Sequence, residues 1–537
     1  MKLYEAVADA LSEQAAAPVF GLMGDANMLY VTAFRDGGGR FVAAAHETGA
    51  VAMADAWSRA TGRIGLATVT HGPGVTNALT GLVEAVRSRS HVLLLTGATP
   101  AEPTHFQRLD LAAVAAAAGA GFERVHRPES LHRDLSRTLQ RIVADDRPVL
   151  LDVPHDFLLE PAASDPAWLR APARRETFVA GEGQIDSALG LIASAARPVI
   201  LAGRGAVRAG AGRSLTELAE LIGAPLATSV LAKDLFLAHP SNLGICGNLA
   251  HGAASAVLAE ADCVIAFGAS LNLHTTLRGE ITAGKKIVQV DHDPSRFGWY
   301  VRPDEVVVGD VDDVATALGV LLRDAGHRPT RGWLERAQGL IAEFNPRAEF
   351  HDRSNGSTVD IRTAAIRLDE VLPARRNLVT DIGRFVNAAW PYLHTAEASR
   401  FTAMGGFGAI GLGLAGSVGM AVAHPDVPTV CAIGDGGFMM NPAELATAVR
   451  ERLPLVVLVF DDGAYGAEYR KFVRYGIDPA HSYLSWPDIR EVADGMGADA
   501  ISVTKTSDID SVAGLLDGLT RPLVLDIRLD PAVDIVD

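Results

Sequence analysis

The chain has 537 residues, of which 48% are hydrophobic and 21% are charged. This length predicts three domains, or four, with ample material for buried cores, and it excludes a single small module or a mostly disordered chain. Lys and Arg total 48 against 64 Asp and Glu, and the resulting net charge of −16 argues against nucleic acid and anionic membranes as partners.

The N-terminus predicts an amphipathic helix rather than a signal peptide, because Leu3, Val7 and Leu11 recur at helical spacing among acidic residues. No stretch approaches the roughly 20 uncharged apolar residues that span a bilayer. Three cysteines stand far apart in apolar stretches: Cys246, Cys263 and Cys431. They have neither disulfide nor zinc-site spacing, so we expect a soluble protein in the reducing cytoplasm.

Short apolar runs alternate with helical patterns in three successive blocks, which we predict to be domains at residues 1–170, 184–340 and 358–537. A Pro-, Ala- and Arg-rich linker at 161–177 follows the first block, and a charged stretch at 324–357 ends the second. Strands alternating with helices of this length predict parallel sheets, and therefore three α/β domains. The candidate strands are at 19–21, 41–45, 64–69, 92–95, 199–201, 264–266, 287–290, 378–379, 430–433, 455–460 and 523–527.

Two aspartates follow neighbouring candidate strands in the third block. Asp435 comes after an apolar run and is flanked by Gly434, Gly436 and Gly437, and Asp462 follows the next apolar run 27 positions later. A right-handed crossover places the carboxyl ends of both strands at one sheet edge, where open α/β proteins bind ligands. Carboxylates suit Mg²⁺ and glycines let backbone amides approach a phosphate, so this spacing favours a metal–diphosphate site.

A purely structural explanation fits any single Gly-Asp-Gly better: the glycines make tight turns and the aspartates cap helices. The pair of aspartates, one crossover apart, is what favours the site.

This region resembles the motif of thiamine-diphosphate-dependent enzymes, and residues 434–448 are most similar to acetolactate synthases. Further segments match family patterns in order, at 46–50, 60–62, 71–77 and 308–311. The resemblance covers essentially the whole chain. It implies a pyrimidine-binding first domain, a Rossmann-like central domain and a diphosphate-binding third domain.

By this resemblance Asp435, Asp462 and the backbone carbonyl of Ala464 hold Mg²⁺ against the cofactor diphosphate. The family usually has Asn-Asn where this chain has Asp461 and Asp462. The additional negative charge predicts weaker diphosphate affinity or a changed metal preference.

The resemblance gives catalytic meaning to Glu47, which by pattern alone is only a charge in the first turn of a helix. In the family this glutamate contacts the aminopyrimidine nitrogen and favours the imino tautomer, which deprotonates the thiazolium C2. The Gly408 carbonyl would accept a hydrogen bond from the pyrimidine amino group, and Ile410 would wedge under the cofactor to force its bent conformation. The remaining implied cofactor contacts are Pro73, Asn77, Gly383, Arg384, Phe385, Gly434, Gly436, Gly437, Gly463, Ala464 and Tyr465.

The candidate catalytic residues near the substrate are Asp25, His71, His105, Gln107 and Glu468. Asp25 and Glu468 stand where 2-oxo acid decarboxylases are acidic, and Glu468 also matches sulfoacetaldehyde acetyltransferase; a turn aspartate and a solvated glutamate are the open alternatives. The histidines titrate near neutral pH, although a lone histidine is more often structural.

The resemblance implies decarboxylation of a pyruvate-like 2-oxo acid, followed by protonation of the resulting carbanion or its ligation to a carbonyl acceptor. Alternatives are an acyltransferase of the sulfoacetaldehyde acetyltransferase type, a catalytically silent regulatory or scaffold homologue, and a flavin-containing pyruvate oxidase-like enzyme. Residues 268–273 depart from the FAD-binding version of the family, which argues against FAD. Family architecture places Glu47 and Asp435 of different chains at one cofactor, so we expect at least a homodimer, with a homotetramer as the fuller assembly.

Overall fold

The computed structural model describes residues 1–14, 17–162, 180–516 and 518–535. The predicted linker at 161–177 falls almost entirely outside the described residues. The chain forms two compact units: the first comprises Met1–Arg175, Ser354–Val386 and Thr402–Asp537, and the second comprises Glu176–Arg353 and Asn387–Phe401. The exact domain boundaries drawn from the sequence stay a prediction.

An N-terminal six-stranded sheet has the order β2-β1-β3-β4-β6-β5. Its strands are β1 (Val19–Gly21), β2 (Phe41–Ala43), β3 (Gly65–Thr68), β4 (Val92–Thr96), β5 (Gly121–Arg124) and β6 (Val149–Asp152). The helices are α1 (Leu3–Ser12), α2 (Met28–Asp36), α3 (Glu47–Thr61), α4 (Pro73–Arg87), α5 (Leu111–Ala118) and α6 (Leu131–Ala144). The strands pair in parallel, as their alternation with helices predicts.

The central sheet, in the second unit, has the order β12-β11-β10-β7-β8-β9. Its strands are β7 (Pro198–Ala202), β8 (Leu226–Thr228), β9 (Asn242–Ile245), β10 (Cys263–Phe267), β11 (Lys286–Asp291) and β12 (Glu305–Val308). Its helices are α7 (Glu182–Ser194), α8 (Arg204–Arg208), α9 (Gly212–Ile222), α10 (Gly252–Glu260), α11 (Val311–Asp324) and α12 (Trp333–Glu343). Counted in chain order, this is the doubly wound order 3-2-1-4-5-6 of Rossmann folds, so the predicted class is confirmed.

The stretch at 324–357, predicted from its charge to end the central block, contains α12. Trp333 is buried and its Nε1 donates to Pro198 O at 2.9 Å, which ties this helix to β7.

The C-terminal sheet has the order β14-β13-β15-β16-β18-β17. Its strands are β13 (Asn377–Thr380), β14 (Phe401–Ala403), β15 (Thr429–Gly434), β16 (Leu455–Asp461), β17 (Asp499–Val503) and β18 (Leu523–Arg528). The helices of this part of the chain are α13 (Ile361–Val371), α14 (Val386–Tyr392), α15 (Gly413–Ala423), α16 (Asp435–Met440), α17 (Ala443–Arg450), α18 (Gly466–Tyr475), α19 (Ile489–Gly495), α20 (Thr506–Asp510) and α21 (Ala513–Leu516). Renumbered from its own first strand, this order equals that of the N-terminal sheet.

The N- and C-terminal sheets belong to one unit and share a continuous apolar core, in which α3 packs on α15. The two helix backbones approach closely, because a Cβ on Gly419 would lie 2.1 Å from the carbonyl oxygen of Met53. The cysteines are free and buried. In the described part of the chain, no helix is both long and apolar enough to cross a membrane.

Candidate active site

The strand order of the C-terminal sheet reverses between β13 and β15, which is where open parallel sheets leave a crevice beyond the strand ends. β13 leads into residues 381–385, β15 leads into Asp435, and the neighbouring β16 ends at Asp461. The predicted metal and diphosphate residues therefore meet at one edge of this sheet.

Asp435 is the first residue of α16, rather than part of a loop as the glycines around it suggest, and it is 3% exposed. Trp486 Nε1 donates to its Oδ2 at 3.1 Å. Burial, together with the nearby carboxyls of Asp462 and Asp461, raises the pKa of Asp435 to about 8. Three acidic groups thus crowd one buried edge, and a cation bound there would be stabilised.

Each member of the Asp461–Asp462 pair has an arginine partner. Arg384 Nη1 donates to Asp462 Oδ2 at 2.9 Å, and Arg528 Nη1 lies 2.7 Å from Asp461 Oδ2. Burial raises the pKa of Asp462 and the Arg384 charge opposes that rise. The extra negative charge expected from the sequence is therefore offset by two arginines, which weakens the argument for a poor diphosphate site.

The chemistry of this edge fits Mg²⁺ and a diphosphate. Asp435 and Asp462 supply hard oxygen donors, and the buried Ala464 lies on a loop held by the hydrogen bonds of Tyr465 N to Ser482 O (3.0 Å) and Leu484 N to Gly463 O (2.8 Å). A Cβ on Gly437 would lie 2.3 Å from Asp381 Oδ2, so the backbone here has no room for a side chain. Among the described residues no group of three His, Cys, Asp or Glu side chains forms a complete metal site, and the predicted set has only two carboxylates.

The loop that carries Gly408 and Ile410 is fixed by a residue that we did not predict. The buried Asp381, directly after β13, accepts hydrogen bonds from the backbone N–H groups of Gly411 (2.7 Å), Leu412 and Gly413 (both 3.3 Å). Burial raises the pKa of Asp381 to about 7. Gly408 is exposed with φ +82°, a left-handed conformation that favours glycine.

The other implied cofactor contacts of this domain surround the same edge. The Phe385 ring stacks on Phe460 with centroids 5.4 Å apart, and it follows Gly383 and Arg384. Gly434 ends β15, and Gly436 has the Tyr465 ring against it, with an added Cβ 3.1 Å away. Tyr465 is 40% exposed.

Glu47 is the first residue of α3, where His46 forms the N-cap by accepting from Thr48 N. Asn77 Nδ2 donates to Glu47 Oε2 at 3.1 Å, and a Cβ on Gly74 would be 3.7 Å from Glu47 Oε1. The start of α4, including Pro73, thus lies against Glu47. These three predicted residues, Glu47, Pro73 and Asn77, form one surface.

His71 is buried beside a cluster of polar rings at the switch point of the N-terminal sheet. Its Nε2 and Gln107 Oε1 are 2.9 Å apart, and its ring meets His105 edge-on at 5.6 Å. A third ring, His155, lies 6.2 Å away and was missed by the sequence analysis. Burial holds the pKa of His71 below its usual value, and the Gln107 hydrogen bond and Asp25 oppose that shift.

Asp25 and Glu468 are exposed. Asp25 adds only its charge to the His71 environment. Glu468, on α18, accepts from Lys471 Nζ at 3.2 Å, which is the arrangement of a solvated helix-surface glutamate, the alternative left open by the sequence. A role for Glu468 at the cofactor stays a prediction.

Sequence reasoning missed Asp381, His155 and two buried glutamates, Glu84 and Glu444. Asp381 and His155 follow strand ends, so a search for every polar residue at that position would have found them. Glu84 and Glu444 have the pattern of ordinary helix-surface residues, and only packing reveals their burial.

Three family models match the chain in order. They are the thiamine pyrophosphate enzyme N-terminal TPP binding domain at residues 1–115, the central domain at 185–318 and the C-terminal TPP binding domain at 381–527.

Whole-length relatives carry two different names. A probable acetolactate synthase large subunit of Methanocaldococcus jannaschii is 31% identical over 99% of this chain and 92% of its own. Acetolactate synthase isozyme 3 large subunit of Escherichia coli is 28% identical over 94% and 90%. A sulfoacetaldehyde acetyltransferase of Alcaligenes xylosoxydans xylosoxydans is 29% identical over 94% and 87%.

The three matches fall in the three sheets in chain order, and they include Glu47 as well as Asp435 and Asp462. The chain therefore belongs to the thiamine pyrophosphate enzymes and is a thiamine-diphosphate-dependent enzyme of the acetolactate synthase-like group.

Proposed function

We propose that this enzyme uses thiamine diphosphate with Mg²⁺ to decarboxylate a pyruvate-like 2-oxo acid. The fragment that remains would then be either joined to a carbonyl acceptor or protonated. The observation that carries the proposal is that the buried Asp435 and the largely covered Asp462, whose side chain is 9% exposed, lie near each other at the switch point of the C-terminal sheet, close to Gly437. This sheet edge offers both carboxylate oxygens for a metal ion and a backbone that a diphosphate could approach closely.

In this proposal Asp435, Asp462 and the Ala464 carbonyl hold Mg²⁺, and the backbone around Gly436 and Gly437 faces the diphosphate. When bound, thiamine diphosphate supplies an electron sink for decarboxylation. Arg384 and Arg528 hold the two adjacent carboxylates in place through ion pairs.

Glu47 would share a proton with the pyrimidine ring nitrogen of a bound cofactor, and Asn77 orients Glu47 by donating to Oε2 at 3.1 Å. Gly408 and Ile410 would contact the pyrimidine and the underside of the cofactor, on a loop that Asp381 fixes. His71, backed by Gln107, His105 and His155, is the group placed to handle protons near the substrate, because burial keeps it neutral and able to accept one.

We propose a homodimer at minimum, and a homotetramer as the fuller assembly. Several predicted cofactor contacts, Pro73, Asn77, Gly408 and Tyr465, are exposed in the single chain. A second copy would cover these surfaces and exclude water from the cofactor. The three buried, free cysteines support a cytoplasmic location.

A second candidate is acetyl transfer to an acceptor other than a 2-oxo acid. The whole-length similarity to a sulfoacetaldehyde acetyltransferase favours it. A catalytically silent role is disfavoured by the presence of Glu47 with its Asn77 partner. A pyruvate oxidase-like enzyme would carry flavin, and absorbance of the purified protein in the flavin bands tests that alternative.

The test is a panel of 2-oxo acids offered with thiamine diphosphate and Mg²⁺, with and without an aldehyde, a second 2-oxo acid or phosphate as acceptor. Release of CO₂ and product masses are followed together. Acetolactate-type or acyloin products support the main proposal. An acyl phosphate made from a 2-oxo acid requires a two-electron oxidant and would indicate the flavin-containing oxidase. An acyl phosphate made from sulfoacetaldehyde and phosphate, with release of sulfite and no net oxidation, would indicate the acyltransferase. No CO₂ from any donor, with no cofactor bound, contradicts both.

A further inference from the structure

Two buried glutamates occupy equivalent places in the two halves of the first unit. Glu84 lies on α4, which follows the third strand of the N-terminal sheet, and Glu444 lies on α17, after the third strand of the C-terminal sheet. Both side chains are 0% exposed. Since the strand orders are the same, the two glutamates correspond to each other.

Each glutamate reaches across to the other domain and binds backbone N–H groups. Glu444 accepts from Ala45 N and His46 N, each at 3.1 Å. Glu84 accepts from Gly406 N at 2.9 Å and Phe407 N at 2.7 Å. In both cases the donors are two consecutive peptide groups in the segment between a second strand and the long helix that follows it.

These peptide groups directly precede the residues expected to touch the pyrimidine ring. Ala45 and His46 lead into Glu47, and Gly406 and Phe407 lead into Gly408. A glycine opposite each glutamate gives its carboxylate room. A Cβ on Gly49 would lie 2.0 Å from Glu444 Oε1, and a Cβ on Gly406 would lie 3.2 Å from Glu84 Oε1.

Both carboxylates also accept hydrogen bonds from side chains. Thr447 Oγ1 donates to Glu444 Oε2 at 2.8 Å. Arg59 Nη2 at 3.2 Å and Ser88 Oγ at 3.1 Å donate to Glu84 Oε1. All of these partners are hydrogen-bond donors. A glutamine in place of either glutamate would therefore point its own N–H donors at other donors.

We propose that Glu444 and Glu84 are matched positioning residues of the active site, Glu444 fixing the loop that presents Glu47 and Glu84 fixing the loop that presents Gly408 and Ile410. This inference rests on the proposed function for the roles of those three residues. That Glu444 and Glu84 hold the two loops in place rests only on their hydrogen bonds and burial.

The test compares E444Q and E84Q with the exposed-site controls E491Q and E13Q. Backbone amide exchange is measured by mass spectrometry in the cofactor-free chain. We expect faster exchange at 43–49 in E444Q alone and at 404–409 in E84Q alone. This readout needs no cofactor, so it stands or falls separately from the proposed reaction.

Cofactor affinity and turnover then separate positioning from general stability. We expect E444Q to lower kcat roughly 10- to 100-fold with cofactor affinity within about threefold of wild type, because only the base is displaced. E84Q should weaken thiamine diphosphate binding about tenfold, because Gly408 and Ile410 contact it. E444D and E84D, which keep an acceptor, should recover part of each loss.

Unchanged exchange in both variants, or a lowered unfolding temperature with wild-type kcat and cofactor affinity, would overturn the proposal. Should E444Q not fold, T447V removes one donor to Glu444 and should show the same pattern at smaller size; wild-type behaviour in T447V would then count against it. A wild-type chain that binds no thiamine diphosphate would instead refute the proposed function.

Discussion

Arg384 and Asp462 form a buried ion pair at the carboxyl edge of the C-terminal sheet, with Nη1 and Oδ2 2.9 Å apart and side chains 5% and 9% exposed. The family resemblance predicts asparagine at the position of this aspartate, and the arginine lies on the loop after β13. The pair therefore brings a compensating charge to the candidate metal site from a distant part of the sequence.

Removing only one member of this pair should destabilise the protein. We expect R384Q to lower the free energy of unfolding by about 3 kcal/mol, since it leaves Asp462 buried without its cation. The double variant R384Q/D462N should recover most of that loss. Denaturant unfolding of the four proteins in the cycle measures the coupling, and additive losses would show that the pair is not coupled.

Asp435 should destabilise the metal-free fold, and it should be required for cofactor binding. D435N relieves the repulsion among three crowded carboxyls, so we expect the metal-free protein to gain about 1 kcal/mol in unfolding free energy. Mg²⁺-dependent binding of thiamine diphosphate should weaken roughly tenfold or more. Calorimetric titration and thermal unfolding, with exposed D494N as the control, measure both effects. Wild-type affinity in D435N would remove it from the metal site.

Glu47 should affect chemistry and not cofactor binding. E47Q keeps the shape and the Asn77 contact but cannot share a proton with the pyrimidine ring, so turnover should fall roughly 100-fold or more while cofactor affinity stays near wild type. Steady-state kinetics and a binding titration test this, with E13Q as the surface control. Near wild-type rates in E47Q would contradict its assignment as the base.

His71 should make stability depend on pH. Burial lowers the pKa of His71 in the folded chain. Near pH 6.5 the unfolded chain therefore binds a proton at His71, whereas in the folded chain His71 stays neutral. The free energy of unfolding should fall as the pH drops from about 6.5 toward the folded pKa. H71Q lacks this contribution, so the wild type should lose stability relative to H71Q between about pH 7.5 and about pH 5. The exposed-site variant H481Q is the comparison, and a pH-independent difference would exclude the effect.

Gly437 and Gly434 provide a matched pair within one motif. An alanine at 437 would place its Cβ 2.3 Å from Asp381 Oδ2, whereas at 434 the nearest atom is in the Phe385 ring at 3.7 Å. We expect G437A to lose about 1–3 kcal/mol of unfolding free energy and G434A to remain close to wild type. Equal losses in chemical denaturation would mean that the Asp381 contact does not set the requirement for glycine.

The amino-acid sequence by itself predicted eleven of the eighteen strands of the described residues, and it indicated the family. Apolar runs such as 430–433 and 455–460 are strands because β-branched and apolar residues suit a sheet buried on both faces, and the aspartates at their ends follow from chain order. Motif spacing was enough to place Asp435 and Asp462 at one edge. Glu47 needed the family resemblance, since its local pattern is that of any first-turn glutamate.

The tertiary structure determined which groups from distant parts of the sequence lie in contact. Arg384 and Asp462 are 78 positions apart, and Glu444 and Ala45 are 399 apart. Hydrophobic periodicity records which face of an element is buried, but a charged residue that faces a distant backbone N–H group leaves no local pattern. Strand order, the sharing of one core by α3 and α15, and the burial of Glu84, Asp381 and Glu444 therefore arise only when the sheets pack, because burying each carboxylate requires donors that the packed fold alone brings within reach.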